Sequence, residues 1–260
     1  MEAYYSTSIA NWKEKFQRKF GLKEWNIFRP WKSVAFFGLY NVVDYLKFVF
    51  HYGKKVVFWC GGDILNLQRR PFWQKILQHY PARHICENVV EYAALKKMGI
   101  VAGIRPCLVD EIKLLPITYK YSKNPHVYLC THEGREEEYG VGIIEEIAPK
   151  LLDIHFEIYG ISRPNSKNII YHGNVEPSVF AQEINGYQCA LRLNEFDGFS
   201  EILVHAMLRG QYAISRILYP YMTCVKDKET LIDALVELRS KTRPNTQGRK
   251  YWINELTRPL

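Results

Sequence analysis

The sequence lacks several features that would place it in a familiar functional class. No apolar run approaches the roughly 20 residues that a membrane-spanning helix requires, and no apolar core of a secretory signal peptide follows Met1. The chain has six cysteines in 260 residues and no C-x-x-C pair. It also lacks a P-loop, a G-x-S-x-G elbow and any His/Cys/Asp cluster with metal-ligand spacing. We therefore expect a cytoplasmic protein with buried free thiols, no resident metal ion and no cofactor.

The net charge of +8 is concentrated in one half of the chain. Residues 1–123 hold 20 Lys/Arg against 9 Asp/Glu, a balance of +11, whereas residues 124–260 hold 15 against 18, a balance of −3. A basic half favours an anionic partner. The candidates are a membrane surface, a phosphorylated acceptor and nucleic acid.

Residues 1–30 contain a basic amphipathic segment. Trp12, Phe16 and Phe20 recur at helical spacing among five Lys/Arg residues between positions 11 and 25. Such a helix binds in the headgroup region of an anionic membrane, or it packs its apolar side on the protein and leaves the basic side in water. The sequence allows both, so the chain is expected to be cytoplasmic, with or without peripheral contact with a membrane.

Strands and helices alternate along most of the chain. The alternation covers residues 33–104 and resumes at residue 127, after an irregular stretch at 110–125 that contains Pro116 and Pro125. This order predicts an α/β fold of two Rossmann-like domains, each with a parallel sheet, facing a cleft.

The domain limits follow from the position of the irregular stretch. We predict an acceptor-side domain over 1–115 and a donor-side domain over 116–245. Residues 246–260 would form a C-terminal tail that packs back toward the first domain, because Tyr251-Trp252-Ile253 supplies apolar surface.

The segment 197–210, D-G-F-S-E-I-L-V-H-A-M-L-R-G, combines a polar loop, an apolar helix and a glycine stop. Its apolar residues have the spacing of one buried helix face, and Gly210 has the place of a C′ glycine. Asp197, Gly198 and Ser200 crowd the helix N-terminus, where unpaired N–H groups attract anions. Glu201 and His205 lie one turn apart on the polar side. The pattern predicts a phosphate-and-ribose site, or an ordinary α/β helix with a good N-cap.

Other polar loops also follow predicted strands. Arg192 ends the strand before Asp197, and Gly134-Arg135 follows the strand at 127–130. An arginine at such a position grips phosphate oxygens or forms a structural salt bridge. His172-Gly173 and Gly61-Gly62-Asp63 follow two further strands. Ligands of open α/β sheets bind beyond the carboxyl ends of the strands, so these loops are candidate site residues.

The order strand, H-G-N-V, helix, strand, D-G-F-S-E-I-L-V-H-A-M-L-R-G-Q-Y-A-I-S resembles the donor domain of GT-B-type glycosyltransferases. It is most similar to the retaining, family-4-like group, whose motif is Glu-x7-Glu. Asp197 has the first acidic position of that motif and His205 the second. The resemblance covers about residues 33–240, and its specific part is 197–215.

The resemblance implies sugar transfer from a UDP- or GDP-linked donor to a carbohydrate, lipid-linked or protein acceptor, with retention and without a metal ion. Positive groups would stabilise the departing nucleotide diphosphate. This role falls to Arg135, Arg192 and the N–H groups of Phe199 and Ser200. The remaining implied roles are orientation of the sugar by Asp197, donor binding by Gly134, His172, Gly173, Gly198, Glu201 and His205, and an acceptor side formed by Gly61, Gly62 and Asp63.

The sequence departs from the family pattern in three places. His205 replaces a carboxylate that usually holds the ribose. A lysine of the family is missing, with Tyr139 near its place, and the first domain has only about four recognisable strands. These departures leave a non-catalytic module that binds a nucleotide or a protein as an alternative function. The basic first half leaves a third, binding to nucleic acid.

Overall fold

The computed structural model describes residues 1–106 and 115–258, which form two compact units. Among these residues, the first unit comprises 1–106, 196–199 and Arg258, and the second comprises 115–195 and 200–257. Part of the predicted linker, 110–114, lies outside the described residues. The part at 115–125 contains neither helix nor strand.

The first unit contains a six-stranded sheet in the order β2-β1-β3-β4-β5-β6, in which every neighbouring pair is parallel. Its described strands are β1 Glu2–Tyr5, β2 Lys23–Glu24, β3 Val34–Phe37, β4 Lys55–Phe58, β5 Arg83–Cys86 and β6 Ala102–Ile104. Its described helices are α1 Lys13–Phe20, α2 Val42–Val49, α3 Gly62–Gln68, α4 Pro71–His79 and α5 Val89–Lys97. All four side chains of β3 are buried because helices cover both faces of the sheet.

Two strands of this sheet were not predicted. Only about four strands were recognisable in the sequence, whereas β1 adds a strand beside β3 and β2 adds another at the edge. β1 has only four residues, and its polar Glu2 and two tyrosines give it no clear apolar run. Its place is fixed by long-range pairing with β3, which a local pattern does not reveal.

The N-terminal helix packs its apolar side on the sheet. α1 is shorter than the predicted 11–25, because a 3₁₀ turn over Thr7–Trp12 precedes it and Gly21, at φ +60°, ends it. The Phe16 ring is buried against Phe37, with ring centroids 4.4 Å apart, and it also contacts Tyr5. This is the second of the two arrangements that the sequence allowed.

The second unit contains a six-stranded parallel sheet in the order β12-β11-β10-β7-β8-β9. Its described strands are β7 His126–Cys130, β8 His155–Tyr159, β9 Ile169–Gly173, β10 Cys189–Arg192, β11 Tyr212–Ser215 and β12 Thr223–Cys224. Its described helices are α6 Glu136–Tyr139, α7 Val141–Ile147, α8 Pro177–Glu183, α9 Glu201–Leu208, α10 Lys228–Glu237 and α11 Thr246–Thr257. The two sheets confirm the predicted α/β class of two Rossmann-like units.

The single helix predicted over 138–150 is wrong. The chain forms α6, breaks at Gly140 and continues as α7 and a 3₁₀ turn over Ala148–Lys150. Gly140 has φ +85°, and a Cβ there would lie 2.7 Å from Leu193 Cβ. The glycine therefore allows both the left-handed conformation and the close approach of the chain that follows β10.

The helix predicted in the segment 197–210 begins later than its apolar spacing suggested. α9 starts at Glu201 with Ser200 as its N-cap, so Phe199 lies in the preceding loop and not on the helix face. Gly210, at φ +75°, follows the C-cap Arg209, which confirms the predicted glycine stop. α9 is buried around most of its circumference, as expected for a helix between a sheet and a further helix.

The C-terminal tail is the helix α11, which contacts α9 in the second unit. Its Trp252 is fully buried, and the indole Nε1–H donates to Pro220 O over 3.1 Å. Arg258, just after the helix, counts with the first unit, where Arg105 Nη2 donates to its carbonyl oxygen over 2.6 Å.

Two properties of the described residues bear on the expectations from composition. None of their helices is both long and apolar enough to span a bilayer. None of their cysteines forms a disulfide bond, and Cys107 lies outside the described residues.

Candidate functional site

The second sheet has a topological switch point between β7 and β10. The chain runs outward from β7 to β8 and β9 on one side, and from β10 to β11 and β12 on the other. Loops that leave two such strands diverge and open a crevice at the carboxyl ends, where ligands of open α/β sheets bind. Arg135 follows β7 by five residues, and Arg192 is the last residue of β10.

Both arginines lie beside one buried aromatic ring. The guanidinium carbon of Arg192 is 4.0 Å from the centroid of the Tyr139 ring, and that of Arg135 is 5.0 Å from it. Arg192 Nη2 also donates to the Tyr139 hydroxyl over 3.2 Å. Cation–π contact and this hydrogen bond orient the planar guanidinium groups. Tyr139, which stands near the place of the family lysine, thus supports the two cations.

Glu138 joins this group, although the sequence indicated no role for it. Its carboxylate accepts from Arg135 Nε over 2.8 Å and from Asn194 Nδ2 over 3.2 Å. The hydrogen bond from Arg135 is the main reason why the pKa of Glu138 lies below its ordinary value. An acidic residue three positions after an arginine is a common pair on a helix surface, so only the contact with Asn194 distinguishes this one.

The N-terminus of α9 contributes a buried hydroxyl. Ser200 is the N-cap residue, yet its side chain makes no capping hydrogen bond. Its Oγ is buried and has no hydrogen-bond partner in the part of the chain that the structure describes. An unsatisfied buried hydroxyl beside the positive end of a helix suits an anionic ligand. Glu201 and His205 are half-buried on the same helix.

The structure contradicts the loop predicted at His172 and Gly173. Both residues belong to β9, because the strand runs two residues further than expected. The His172 ring stacks on Tyr159 with centroids 4.3 Å apart, and its Nε2 lies 2.7 Å from Glu157 Oε2. His172 therefore takes part in a cluster with the buried carboxylate of Glu157, which His126 Nδ1 also contacts at 2.7 Å.

In the first unit, Asp63 is fully buried. Its carboxylate accepts backbone N–H groups of Leu39 over 3.2 Å, and of Cys60 and Ile64 over 3.0 Å. Burial raises the pKa of Asp63 to about 7, although these hydrogen bonds favour the ionised form. The geometry links the ends of β3 and β4 to the start of α3. It does not fit the prediction that Asp63 faces an acceptor, so we do not assign it a catalytic role.

The loop Phe196–Phe199 counts with the first unit, where residues just after β5 bind it. The Phe199 N–H donates to Glu87 Oε2 over 2.8 Å, and Asn88 Nδ2 donates to Asp197 O over 2.8 Å. The Phe199 N–H is thus engaged by a carboxylate, which contradicts its predicted role as a phosphate ligand. Asp197 itself is half-buried.

Glu87 and Glu91 form a carboxylate pair beside this loop. Glu91 Oε2 accepts the Glu87 N–H over 2.6 Å, while its Oε1 is buried without a hydrogen-bond partner among the described residues. Burial, and next the charge of Glu87, raise the pKa of Glu91 well above its ordinary value. Neither residue was predicted. Their spacing is that of an ordinary helix start, and only the fold brings them to Phe199.

A glycine pair allows the loop to approach the end of β4. A Cβ at Gly61 would lie 2.8 Å from Gly198 N, and Gly61 has φ +85°. A Cβ at Gly198 would lie 3.0 Å from Glu87 Oε2. Gly62 is less constrained, with its nearest such contact at 3.4 Å from the Tyr40 ring. Gly134 has φ +79° and open space around it, which is consistent with a sharp turn before Arg135.

No group of three or more His, Cys, Asp or Glu residues within 1–106 and 115–258 is arranged to hold a metal ion.

No protein-family model matches the chain, and no curated protein matches it in sequence. Solved structures do match. The lipopolysaccharide outer core galactosyltransferase WaaB has a TM-score of 0.65 at 14% identity, covering 96% of this chain and 78% of WaaB. Sucrose-phosphate synthase from Thermosynechococcus elongatus has a TM-score of 0.62 at 12% identity, covering 94% of this chain and 72% of the synthase.

A third match is TarM, with a TM-score of 0.59 at 9% identity, covering 86% of this chain and 52% of TarM. The chain has the GT-B fold. At these identities the likeness shows the fold alone. The resemblance to GT-B glycosyltransferases seen in the sequence is therefore confirmed at the level of the fold, and the retaining subgroup stays a prediction. The GT-B chain described here spans about half the length of TarM.

Proposed function

We propose that this protein is a glycosyltransferase that uses a nucleotide-diphosphate sugar. One observation carries the proposal: Arg135 and Arg192 flank Tyr139 at the switch point of the second sheet. Two oriented guanidinium groups at that position suit the diphosphate of a nucleotide. The fold supports the same conclusion but does not carry it, because one fold hosts many functions.

The chemistry explains why the cations matter. Cleavage of a sugar–phosphate bond leaves an oxocarbenium-like sugar and a nucleotide diphosphate whose negative charge grows in the transition state. Preorganised positive groups stabilise that charge, and such electrostatic terms are usually the largest in catalysis. Arg135, Arg192 and the Ser200 hydroxyl at the start of α9 would supply them, so we propose a metal-independent reaction.

The other roles come from the resemblance. Asp197 would accept hydrogen bonds from hydroxyls of the donor sugar and orient the ring, while Glu201 and His205 would bind the nucleotide. Retention of the anomeric configuration is part of the proposal. A structure of S. aureus TarM was obtained in complex with UDP, which supports a UDP-linked donor here. A GDP-linked donor is the other choice, and the acceptor would be a carbohydrate, a lipid-linked glycan or a protein.

The proposal is tested by calorimetric titration with UDP and GDP. We expect one of them to bind, and we expect Arg192→Gln to weaken that binding by about tenfold or more, since a lost hydrogen bond to a charged group costs roughly 1.5–3 kcal/mol. Arg163→Gln is the matched control, because Arg163 lies in the same unit and pairs with Glu145 over 2.7 Å. Absence of binding to both nucleotides, or equal losses in the two variants, would contradict the proposal.

A non-catalytic module is the second candidate, favoured by His205 at the second acidic position of the motif. Nucleotide binding without sugar transfer or slow donor hydrolysis would support it. Nucleic-acid binding is the third, and it requires affinity for DNA or RNA that falls steeply with salt. From the charge of the first half we also propose contact with an anionic surface. The residues that carry this contact are considered next.

A further inference from the structure

The first unit exposes a group of large apolar side chains on two neighbouring loops. Phe28 is 82% exposed, Tyr52 77%, and Trp31 and Phe50 65% each. Ile27 is also exposed. We call these five residues the aromatic surface. Single exposed apolar residues are ordinary, but contiguous exposed aromatic residues mark interaction sites.

The two loops are bonded to each other. The N–H groups of Tyr52 and Gly53 both donate to Pro30 O, over 2.9 Å and 2.8 Å, and His51 Nε2 lies 2.6 Å from Lys32 O. Gly53 is required at this contact, because a Cβ there would lie 2.1 Å from Lys32 O. The aromatic surface is thus a fixed feature of the fold, built from the chain just before β3 and just before β4.

The charge around the aromatic surface has one sign. Residues 25–43 and 45–62 contain no Asp or Glu but hold five basic residues, Arg29, Lys32, Lys47, Lys54 and Lys55. Three of them, Arg29, Lys32 and Lys54, are exposed. Aromatic side chains flanked by exposed Lys and Arg are typical of proteins that lie in the headgroup region of anionic bilayers.

We propose that the aromatic surface binds an anionic lipid bilayer. Charge complementarity selects this partner, because a bilayer with acidic headgroups attracts every exposed charge in the region while its interface accepts Trp, Tyr and Phe rings. The structure thereby moves the membrane contact away from α1, whose Phe16 packs on the sheet. The surface lies at the amino ends of β3 and β4, whereas Gly61 and Glu87 follow the carboxyl ends of β4 and β5. Membrane binding therefore does not depend on the proposed catalytic function.

The test is co-sedimentation of the full chain with vesicles of phosphatidylcholine alone or mixed with phosphatidylglycerol. We expect binding to the mixed vesicles only, weakened by salt. Phe28→Ser with Trp31→Ser should reduce partition by about tenfold or more, since each ring buries apolar surface at the interface. Arg29→Gln with Lys32→Gln should reduce it by about tenfold through lost charge. Val101→Ser is the control, because Val101 is 84% exposed in the same unit, outside both loops.

Far-UV circular dichroism and thermal unfolding of each variant show whether the fold is intact. The side chains changed are exposed, so we expect unfolding temperatures like that of the unchanged protein. The proposal is overturned if the unchanged protein does not bind the mixed vesicles, or if the two double variants bind as the control does. It is also overturned if the double variants lose only self-association or binding to an RNA or DNA oligonucleotide.

Discussion

The Phe199 N–H donates to Glu87 Oε2 over 2.8 Å, across 112 positions of sequence. This bond ties the loop of the candidate motif to the residue that follows β5. Because the bond acts on the backbone, Glu87 is a positioning residue for Asp197 and not a catalytic one.

Removal of Glu87 should loosen this loop. We expect Glu87→Ala to cost roughly 1.5–3 kcal/mol in local stability, as for a hydrogen bond to a charged acceptor, and Glu87→Gln to cost less because the amide oxygen still accepts. Amide hydrogen exchange at Phe199 measures this directly: exchange should accelerate in the alanine variant and largely recover in the glutamine variant. Unchanged protection in Glu87→Ala would show that the bond does not hold the loop.

Asp197 should be required for sugar transfer and not for folding. It lies in a loop and is half-buried, so we expect Asp197→Ala to keep its unfolding temperature within a few degrees. Transfer should be abolished once a donor and acceptor are identified, because the donor sugar loses the group that orients it. Full turnover by this variant would remove Asp197 from the proposed site.

Gly61 should resist replacement. Gly61→Ala places a Cβ 2.8 Å from Gly198 N at a φ of +85°, so it combines steric overlap with backbone strain. Gly21→Ala, at φ +60° with nothing within 4 Å, carries the strain alone. Strain of this kind costs about 1 kcal/mol, and we expect Gly61→Ala to cost clearly more in urea unfolding. Equal losses in the two variants would mean that the loop moves freely away from Gly61.

Asp63 should make stability depend on pH. Its pKa rises on folding from 3.8 to about 7, so the folded state binds the proton more tightly than the unfolded state. The stabilising effect is complete below 3.8 and is lost as the pH rises through about 7. Asp63→Asn should flatten the fall in unfolding free energy over this interval. A fall as steep as that of the unchanged protein would assign the pH dependence to another group.

Arg192 should be sensitive even to a change that keeps its charge. Arg192→Lys preserves the cation but loses the planar group that contacts the Tyr139 ring at 4.0 Å. If the nucleotide diphosphate binds here, the lysine variant should bind it at least several-fold more weakly in calorimetric titration, which corresponds to about 1 kcal/mol. Equal affinity would show that only the charge matters.

The sequence predicted the central strands and most helices because their signals are local. Buried runs such as Val34–Phe37 and the apolar spacing in α9 depend only on neighbours within a few residues. The four-residue strand β1 and the break at Gly140 escaped prediction for the opposite reason. β1 is defined by pairing with β3, and Gly140 by the approach of Leu193.

The candidate site divides along the same line. Arg135, Arg192 and the segment 197–210 were found because residues after strands in an alternating pattern meet at one edge of a sheet. Glu138 and Glu87 were missed because their roles arise from partners distant in the sequence, Asn194 and Phe199.

The sequence by itself determined the α/β fold class, the excess of basic residues in the first half and the motif from Asp197 to Gly210, since periodicity, composition and motif spacing are properties of the chain. Only the tertiary structure decided that Asp63 is buried, that His172 belongs to a strand and that Phe28 and Trp31 are exposed. Burial and partner choice depend on which distant segments pack together, and the free energy of that packing is shared across the whole fold.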